Sequence, residues 1–251
     1  MPPTTYPPTQ PSEPASLPRV SEFQRALASD GEVLAGTTRL SSLNPSLLLD
    51  LQRFASGLSS SDHSLELLEV MAAAVRHGRA LRVHVQHQYR VVPITAFPAE
   101  RQMHCPVPQS ALLGWRLTEL RVLHIEPARI EPFVPGVDHA EASQFAPLGP
   151  LLWELALRGS RGELLPEIAG IAAYRIPPGV DLGMLDLSGS LAAAVQRLRR
   201  QTTNLREIEQ WPGFDRERAT RMLNGLYLQA ALIVSRTHPA ATNEGWSGGE
   251  G

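Results

Sequence analysis

The stretch Ala80–Pro98, ALRVHVQHQYRVVPITAFP, decides the fold class of this 251-residue chain. Its first half, Leu81–Gln86, alternates apolar with polar side chains, which is the period of a strand with one buried face. Gln86–Tyr89 can form a turn, and Val91–Phe97 returns as a second strand. Because an isolated hairpin is only marginally stable in water, further strands must pair with it. The stretch therefore predicts an antiparallel sheet.

The sequence on both sides supplies the partners of this hairpin. Leu65–Val75 has apolar residues at helical spacing, and Arg76–Gly78 has the cations and the glycine that commonly end a helix. Arg101–Pro106 and Leu120–Ile125 are two further strand candidates. We therefore predict an α+β module, a small antiparallel sheet with flanking helices, over residues 20–132.

The C-terminal third has the helix order of a winged helix-turn-helix. Three helices and a strand are predicted in succession: Leu191–Arg200, Leu205–Gln210, Arg216–Gln229 and Ala231–Thr237. Short polar side chains precede the helices and can accept hydrogen bonds from their free N–H groups: Ser188 or Ser190, Asn204, and Asp215. We expect residues 150–240 to form a helical module ending in a winged-helix-like unit. Within it, Glu163–Ile176 fits a helix or a strand equally well.

Composition predicts three segments without a fold of their own. Residues 1–19 combine repeated Pro with Ser and Thr, which predicts a disordered, proline-rich arm. Residues 133–149 are interpreted as a linker between the modules, and the glycine-rich residues 241–251 as a flexible tail.

Composition also excludes several kinds of chemistry. All 23 basic residues are Arg, so a Schiff-base lysine and a P-loop lysine are excluded. A single Cys excludes an internal disulfide and a cysteine-based zinc site. No apolar run reaches the roughly 18 residues of a membrane span, and the N-terminus lacks a signal-peptide pattern. Arginine without lysine is typical of GC-rich bacterial coding, so we expect a cytoplasmic bacterial protein that does not enter a membrane.

Four histidines and the cysteine fall in the predicted sheet: His84, His87, His104, His124 and Cys105. His84 and His87 lie three positions apart, and His104 adjoins Cys105, so the members of each pair face opposite sides of a regular strand. No metal-binding pair on a helix, nucleophile turn or glycine fingerprint accompanies them. We therefore expect no metal, no cofactor and no catalytic residue, and a protein that is not an enzyme.

Nucleic-acid binding is the functional alternative that the residues themselves suggest. The candidate contacts are Arg206, Arg216, Arg218 and Arg221, on the second and third helices of the winged-helix-like unit. Arginine suits phosphates and guanine edges, and a recognition helix presents such side chains near its N-terminus. Acidic residues are interleaved with them, so an ion-paired, solvated surface would have the same composition.

The sequence SLELLEVMAAAVRHGRALRVHVQHQYRVVPITAFPAERQMHCP resembles the PATAN-type module of bacterial regulators. That family has a short helix, a glycine, a strand of the form L-x-V-x-x, and a return strand ending near F-x-x-G. The matching parts are Leu65–Val75, Gly78, Leu81–Gln86 and Arg90–Phe97, whereas Pro98–Glu100 lacks the last glycine. The resemblance implies non-catalytic signalling through a protein partner, such as a response regulator or a motility component, with a degenerate winged helix alongside. It transfers no functional residue.

Together these patterns predict a non-catalytic regulatory or adaptor protein that acts through protein–protein interaction. The alternative is a winged-helix, DNA-binding transcriptional regulator that uses the four arginines.

Overall fold

The computed structural model describes residues 17–33, 66–137 and 142–244. The helices are α1 (Val20–Val33), α2 (Leu67–His77), α3 (Gln109–Leu113), α4 (Leu148–Arg158), α5 (Gly189–Arg200), α6 (Leu205–Ile208) and α7 (Arg216–Leu228). The strands are β1 (Leu81–His87), β2 (Arg90–Phe97), β3 (Gln102–His104), β4 (Arg121–Pro127), β5 (Phe145–Pro147), β6 (Gly170–Arg175), β7 (Ile233–Ser235) and β8 (Thr242–Glu244).

The first sheet has five antiparallel strands in the order β4-β1-β2-β3-β5. Its apolar face carries the predicted alternating side chains, and Val83 and Ile94 are fully buried opposite each other. This face belongs to one hydrophobic cluster with residues of α2 and α4. The predicted α+β class, an antiparallel sheet with flanking helices, is confirmed.

Local signals set the ends of several helices where the sequence predicts them. Gly78 ends α2 with a φ of 57°, a left-handed conformation that glycine adopts without a steric penalty. Asn204 accepts from the backbone N–H of Glu207 at 2.9 Å, and Asp215 accepts from that of Arg218 at 2.7 Å. Ser188 lies at the N-cap of α5, but its side chain makes no capping hydrogen bond.

The second sheet has three strands in the order β7-β6-β8, so β7 and β8 lie on either side of β6. The ambiguous segment Glu163–Ile176 thus contributes a strand, Gly170–Arg175, and not a helix. Backbone pairing explains the choice, because Ala173–Arg175 pairs with β7 and Gly170–Ala172 pairs with β8. Tyr174 of this strand is fully buried, and its hydroxyl donates to the Ile168 carbonyl at 2.8 Å. Helices α5, α6 and α7 follow in the predicted order.

Three segments predicted to lack structure contain paired residues. Arg19, in the predicted arm, forms an antiparallel bridge with Arg90 at the start of β2. The predicted linker, 133–149, includes β5, which pairs with β3. The predicted tail, 241–251, includes β8, which pairs with β6. In each case the backbone pairs with a distant strand, and such pairing leaves no signal in local composition. Residues 1–16 and 245–251 lie outside the described residues.

Helices α4 and α7, which lie almost entirely in the second predicted module, pack closely against each other. Gly225 of α7 faces the ring of Trp153 on α4 so closely that a Cβ there would lie 2.6 Å from its Cε3 atom. Residues of both predicted modules, such as Val83 and Leu226, belong to the same hydrophobic cluster. None of the helices in the described ranges has the length and hydropathy to cross a bilayer.

Candidate functional site

The second face of the five-stranded sheet is polar. Arg82 of β1 lies between Glu126 of β4 and Thr95 of β2, and Thr95 in turn lies opposite His104 of β3. Residues directly opposite each other on paired strands share a face, so these four side chains form one row across four strands. In the next row, His84 of β1 lies opposite His124 of β4. The strand register therefore gathers polar groups that are far apart in sequence.

Apolar side chains form the walls around this polar floor. Phe23 of α1 stacks on the His84 ring with a centroid distance of 4.7 Å. The chain after β4 crosses the face toward β3, because Ile130 lines the cleft and Phe133 is bonded to Gln102 through both its backbone N–H and its carbonyl. The half-open cleft that results has a volume of about 390 Å³, and we call it the His84 cleft. Its lining residues are Leu17, Pro18, Phe23, Arg82, His84, Val91, Pro93, Thr95, His104, Pro106, Ile130 and Gln144.

Glu126 is the electrostatic centre of this face. One carboxylate oxygen lies 3.0 Å from His84 Nε2, and the other accepts from Arg129 at 2.6 Å. Arg82 Nε is 3.9 Å from the first oxygen, beyond hydrogen-bonding distance. Glu126 is only 5% exposed, and a buried carboxylate is stable in a protein only when it is paired in this way.

Burial keeps His84 neutral. It lowers the pKa of His84 below its ordinary value and outweighs the hydrogen bond with Glu126, which acts in the opposite direction. Burial also acts to raise the pKa of Glu126, but the hydrogen bond with His84 and the charge of Arg129 outweigh it, so that pKa lies below its usual range. The pair is therefore a neutral imidazole beside a carboxylate, with Nε2–H donating and Nδ1 left as an acceptor.

An imidazole oriented by a carboxylate is the arrangement of a general base, but the face does not provide it with a cysteine nucleophile. Cys105 lies on the opposite side, 2% exposed within the hydrophobic cluster, and burial raises the pKa of its thiol to about 11. Among the described residues no group of three or more His, Cys, Asp or Glu side chains is placed to hold a metal ion. This geometry is suited to hydrogen bonding and recognition.

Histidines close in sequence face different ways, as predicted, yet His84, His104 and His124 share one face of the sheet. His87 stacks on Trp115 with a centroid distance of 3.7 Å, away from His84. His104 lines the cleft and Cys105 does not. His124 is 5.7 Å from His84, ring centroid to ring centroid. Sequence reasoning missed the association with His124 and Glu126, because it depends on the β1–β4 register across about 40 residues of intervening chain.

The four candidate nucleic-acid contacts have different surroundings. Arg206, Arg216 and Arg218 are exposed. Arg216 lies 3.5 Å from a Glu209 carboxylate oxygen, and Arg218 donates to Ser190 Oγ at 3.0 Å. Arg206 has contacts of its own within the protein.

Arg221 makes hydrogen bonds within the protein. Its Nη1 donates to the carbonyls of Leu157 and Gly159 at 3.1 and 2.6 Å, and its Nε donates to Glu217 at 2.9 Å. The guanidinium therefore binds the free carbonyls at the C-terminal end of α4. Its side chain is only 16% exposed.

A second cleft, of about 360 Å³, lies beside the first turn of α7. Arg218 and Arg221 line it together with two acidic side chains, Asp215 and Glu217. The carboxylates repel a phosphate and reduce the attraction of the two guanidinium groups for it.

Comparison with known proteins gives no relative. No family model matches the chain, and neither a curated protein nor a solved structure is significantly similar to it.

Proposed function

We propose that this chain is a non-catalytic, cytoplasmic bacterial regulatory or adaptor protein that acts by binding another protein, and that the His84 cleft receives a segment of that partner. The observation that carries the proposal is the cleft itself, with hydrogen-bonding groups on its floor and apolar side chains on its walls. Specific binding sites combine an apolar lining with a few placed polar groups in this way.

The strands beneath the cleft favour recognition of an extended segment. The first residues of β2 have no partner on β3, and the chain at Pro18–Val20 takes that place instead. Val91 donates to the Pro18 carbonyl at 2.9 Å, and Val20 donates to the Tyr89 carbonyl at 3.1 Å. This edge of the cleft already binds extended backbone, which is the mode by which many domains bind peptides.

The resemblance to PATAN-type modules and the helix order of the C-terminal unit support the same class of function. We propose that α5, α6, α7 and β7 form a degenerate winged helix. Its strands differ from those of a paired wing, because β6 separates β7 from β8. A winged helix without a paired wing lacks a common DNA contact, which favours a structural or protein-binding role.

A DNA-binding transcriptional regulator is the second candidate, supported by the exposure of Arg206, Arg216 and Arg218. Against it, Arg221 is bound to backbone carbonyls, and α7 is largely buried beyond its first turn. A recognition helix needs one face free to enter the major groove.

The proposal is tested by selecting phage-displayed peptides of random sequence on the full-length protein. We expect the selected peptides to bind the unmodified protein and to lose at least tenfold in affinity on Phe23→Ala, because Phe23 forms a wall of the cleft. Tyr89→Ala is the matched control, since Tyr89 is 84% exposed and outside the cleft lining. Failure to enrich any peptide, or equal binding by both variants, would overturn the proposal.

Gel-shift titration with duplex DNA at two salt concentrations tests the alternative. Salt-steep binding that is abolished by a double Arg216→Ala, Arg218→Ala variant would replace the adaptor proposal with DNA binding.

A further inference from the structure

Arg82 is the cation of the His84 cleft whose hydrogen-bond donors are available. It lines the cleft, and its side chain is 32% exposed. Within the described part of the chain, Arg82 forms one ion pair, a long contact of 3.9 Å between its Nε and a Glu126 carboxylate oxygen. Its two terminal nitrogens make no hydrogen bond to the described residues. A guanidinium has five N–H donors in a planar fork, so most of its hydrogen-bonding capacity is open to a ligand or to water.

Among the residues that the structure describes, the groups that face Arg82 leave a positive charge uncompensated. From β4 comes Glu126, which is already bound by His84 and by Arg129. Two guanidinium groups therefore share one carboxylate. The imidazoles on this face, from β1, β3 and β4, contribute no negative charge. The cleft consequently favours an anion over a cation or a neutral group.

The remaining polar groups in this row can assist an anion but cannot neutralise it. Thr95 lies directly opposite Arg82, and His104 lies directly opposite Thr95. A threonine hydroxyl can donate a hydrogen bond, which suits an acceptor with two oxygens. A carboxylate is such an acceptor, because its two oxygens can accept two parallel N–H···O hydrogen bonds from one arginine guanidinium.

The apolar walls of the His84 cleft indicate which chemical group lies next to the carboxylate in the ligand. Phe23, Pro93 and Ile130 surround the polar row with aromatic and aliphatic surface. A ligand that brings only a small anion leaves this surface exposed to water. A ligand with a large apolar side chain next to its carboxylate buries both parts.

We propose that Arg82 anchors an Asp or Glu side chain of the partner segment, with an adjacent large apolar residue of that segment packed against Phe23. The inference rests on the proposed function and names the chemistry of the partner. It assigns Arg82 as a specificity-determining residue, because the recognition of charge falls to this one side chain.

The experiment compares two probes, N-acetyl-Glu-Phe-amide and N-acetyl-Gln-Phe-amide, by saturation-transfer NMR on the full-length protein. We expect the Glu peptide to bind about tenfold more tightly than the Gln peptide, the effect of a charge-assisted hydrogen bond. Arg82→Met keeps the aliphatic stem and removes the charge, and should abolish the preference. Arg116→Met is the matched control, because Arg116 is 83% exposed, pairs with Glu119 and lies outside the cleft.

Arg82→Lys provides a second variant in case the Met protein is unstable. It keeps the charge but loses the planar fork, so part of the preference should remain. Equal binding of the two peptides to the unmodified protein, or an unchanged preference in both variants, overturns the inference. The proposed function survives that result if the phage-selected peptides still depend on Phe23. Phenylacetate that binds more tightly than the Glu peptide would also overturn it, because the anion would then belong to a small molecule.

Discussion

Gly225 allows α4 and α7 to approach closely, and replacing it with alanine tests how tightly these two helices pack. A Cβ at this position would lie 2.6 Å from Cε3 and 2.8 Å from Cζ3 of Trp153, and 3.4 Å from the Cβ of Ala156. The first two distances are well inside van der Waals contact. Trp153 is only 1% exposed, so its ring has no solvent into which to move.

Two opposing effects set the magnitude for Gly225→Ala. Alanine is favoured over glycine inside a helix by about 1 kcal/mol. Overpacking a well-filled core costs about 1–3 kcal/mol, and an overlap with a buried indole falls toward the upper part of that range. We expect the steric effect to prevail and the free energy of unfolding to fall by about 1–2 kcal/mol.

Trp153→Leu supplies the background that separates the two effects. Removing the indole removes the overlapping atoms, so in this background Gly225→Ala should stabilise by about 0.5–1 kcal/mol. The sign of the same substitution therefore reverses. The assay is urea unfolding of the four proteins of the double-mutant cycle, followed by circular dichroism. A Gly225→Ala effect of the same sign and size in both backgrounds would refute the packing argument.

Three further predictions concern Arg221, His84 and Cys105. Arg221→Met should lower the free energy of unfolding by about 2–3 kcal/mol, because it leaves two backbone carbonyls without their donor, whereas the exposed control Arg216→Met should change it by less than about 0.5 kcal/mol; equal urea midpoints for the two variants would contradict this. Because the folded protein lowers the pKa of His84 below 6.5, the unfolded chain takes up the proton first; the contribution of His84 to stability is thus complete above pH 6.5 and declines as the pH falls below it. In His84→Gln, urea unfolding across this pH range should show a shallower decline, and an unchanged slope would remove His84 as its source. Cys105, buried and with its thiol pKa raised to about 11, should resist iodoacetamide at pH 8 in the folded protein and react in urea, and mass spectrometry that finds rapid native labelling would place the thiol elsewhere.

The sequence by itself determined the elements whose signals are local. The alternation in Leu81–Gln86 predicts β1, and Gly78, Asn204 and Asp215 mark helix ends that the structure places at the same residues. Periodicity and capping act within a few residues, so they can be recognised without knowing the rest of the fold.

Tertiary structure alone decided which side chains meet. The β1–β4 register brings His84 to His124 and Glu126, and the packing of α4 on α7 directs Arg221 to the carbonyls of α4 instead of to solvent. It also made Gly170–Arg175 a strand, because this segment finds partners in β7 and β8. Each of these outcomes depends on contacts between residues far apart in the chain. A two-residue shift between β1 and β4 would keep every side chain on its face but bring His84 opposite a different residue, and the alternation within a strand does not specify that choice.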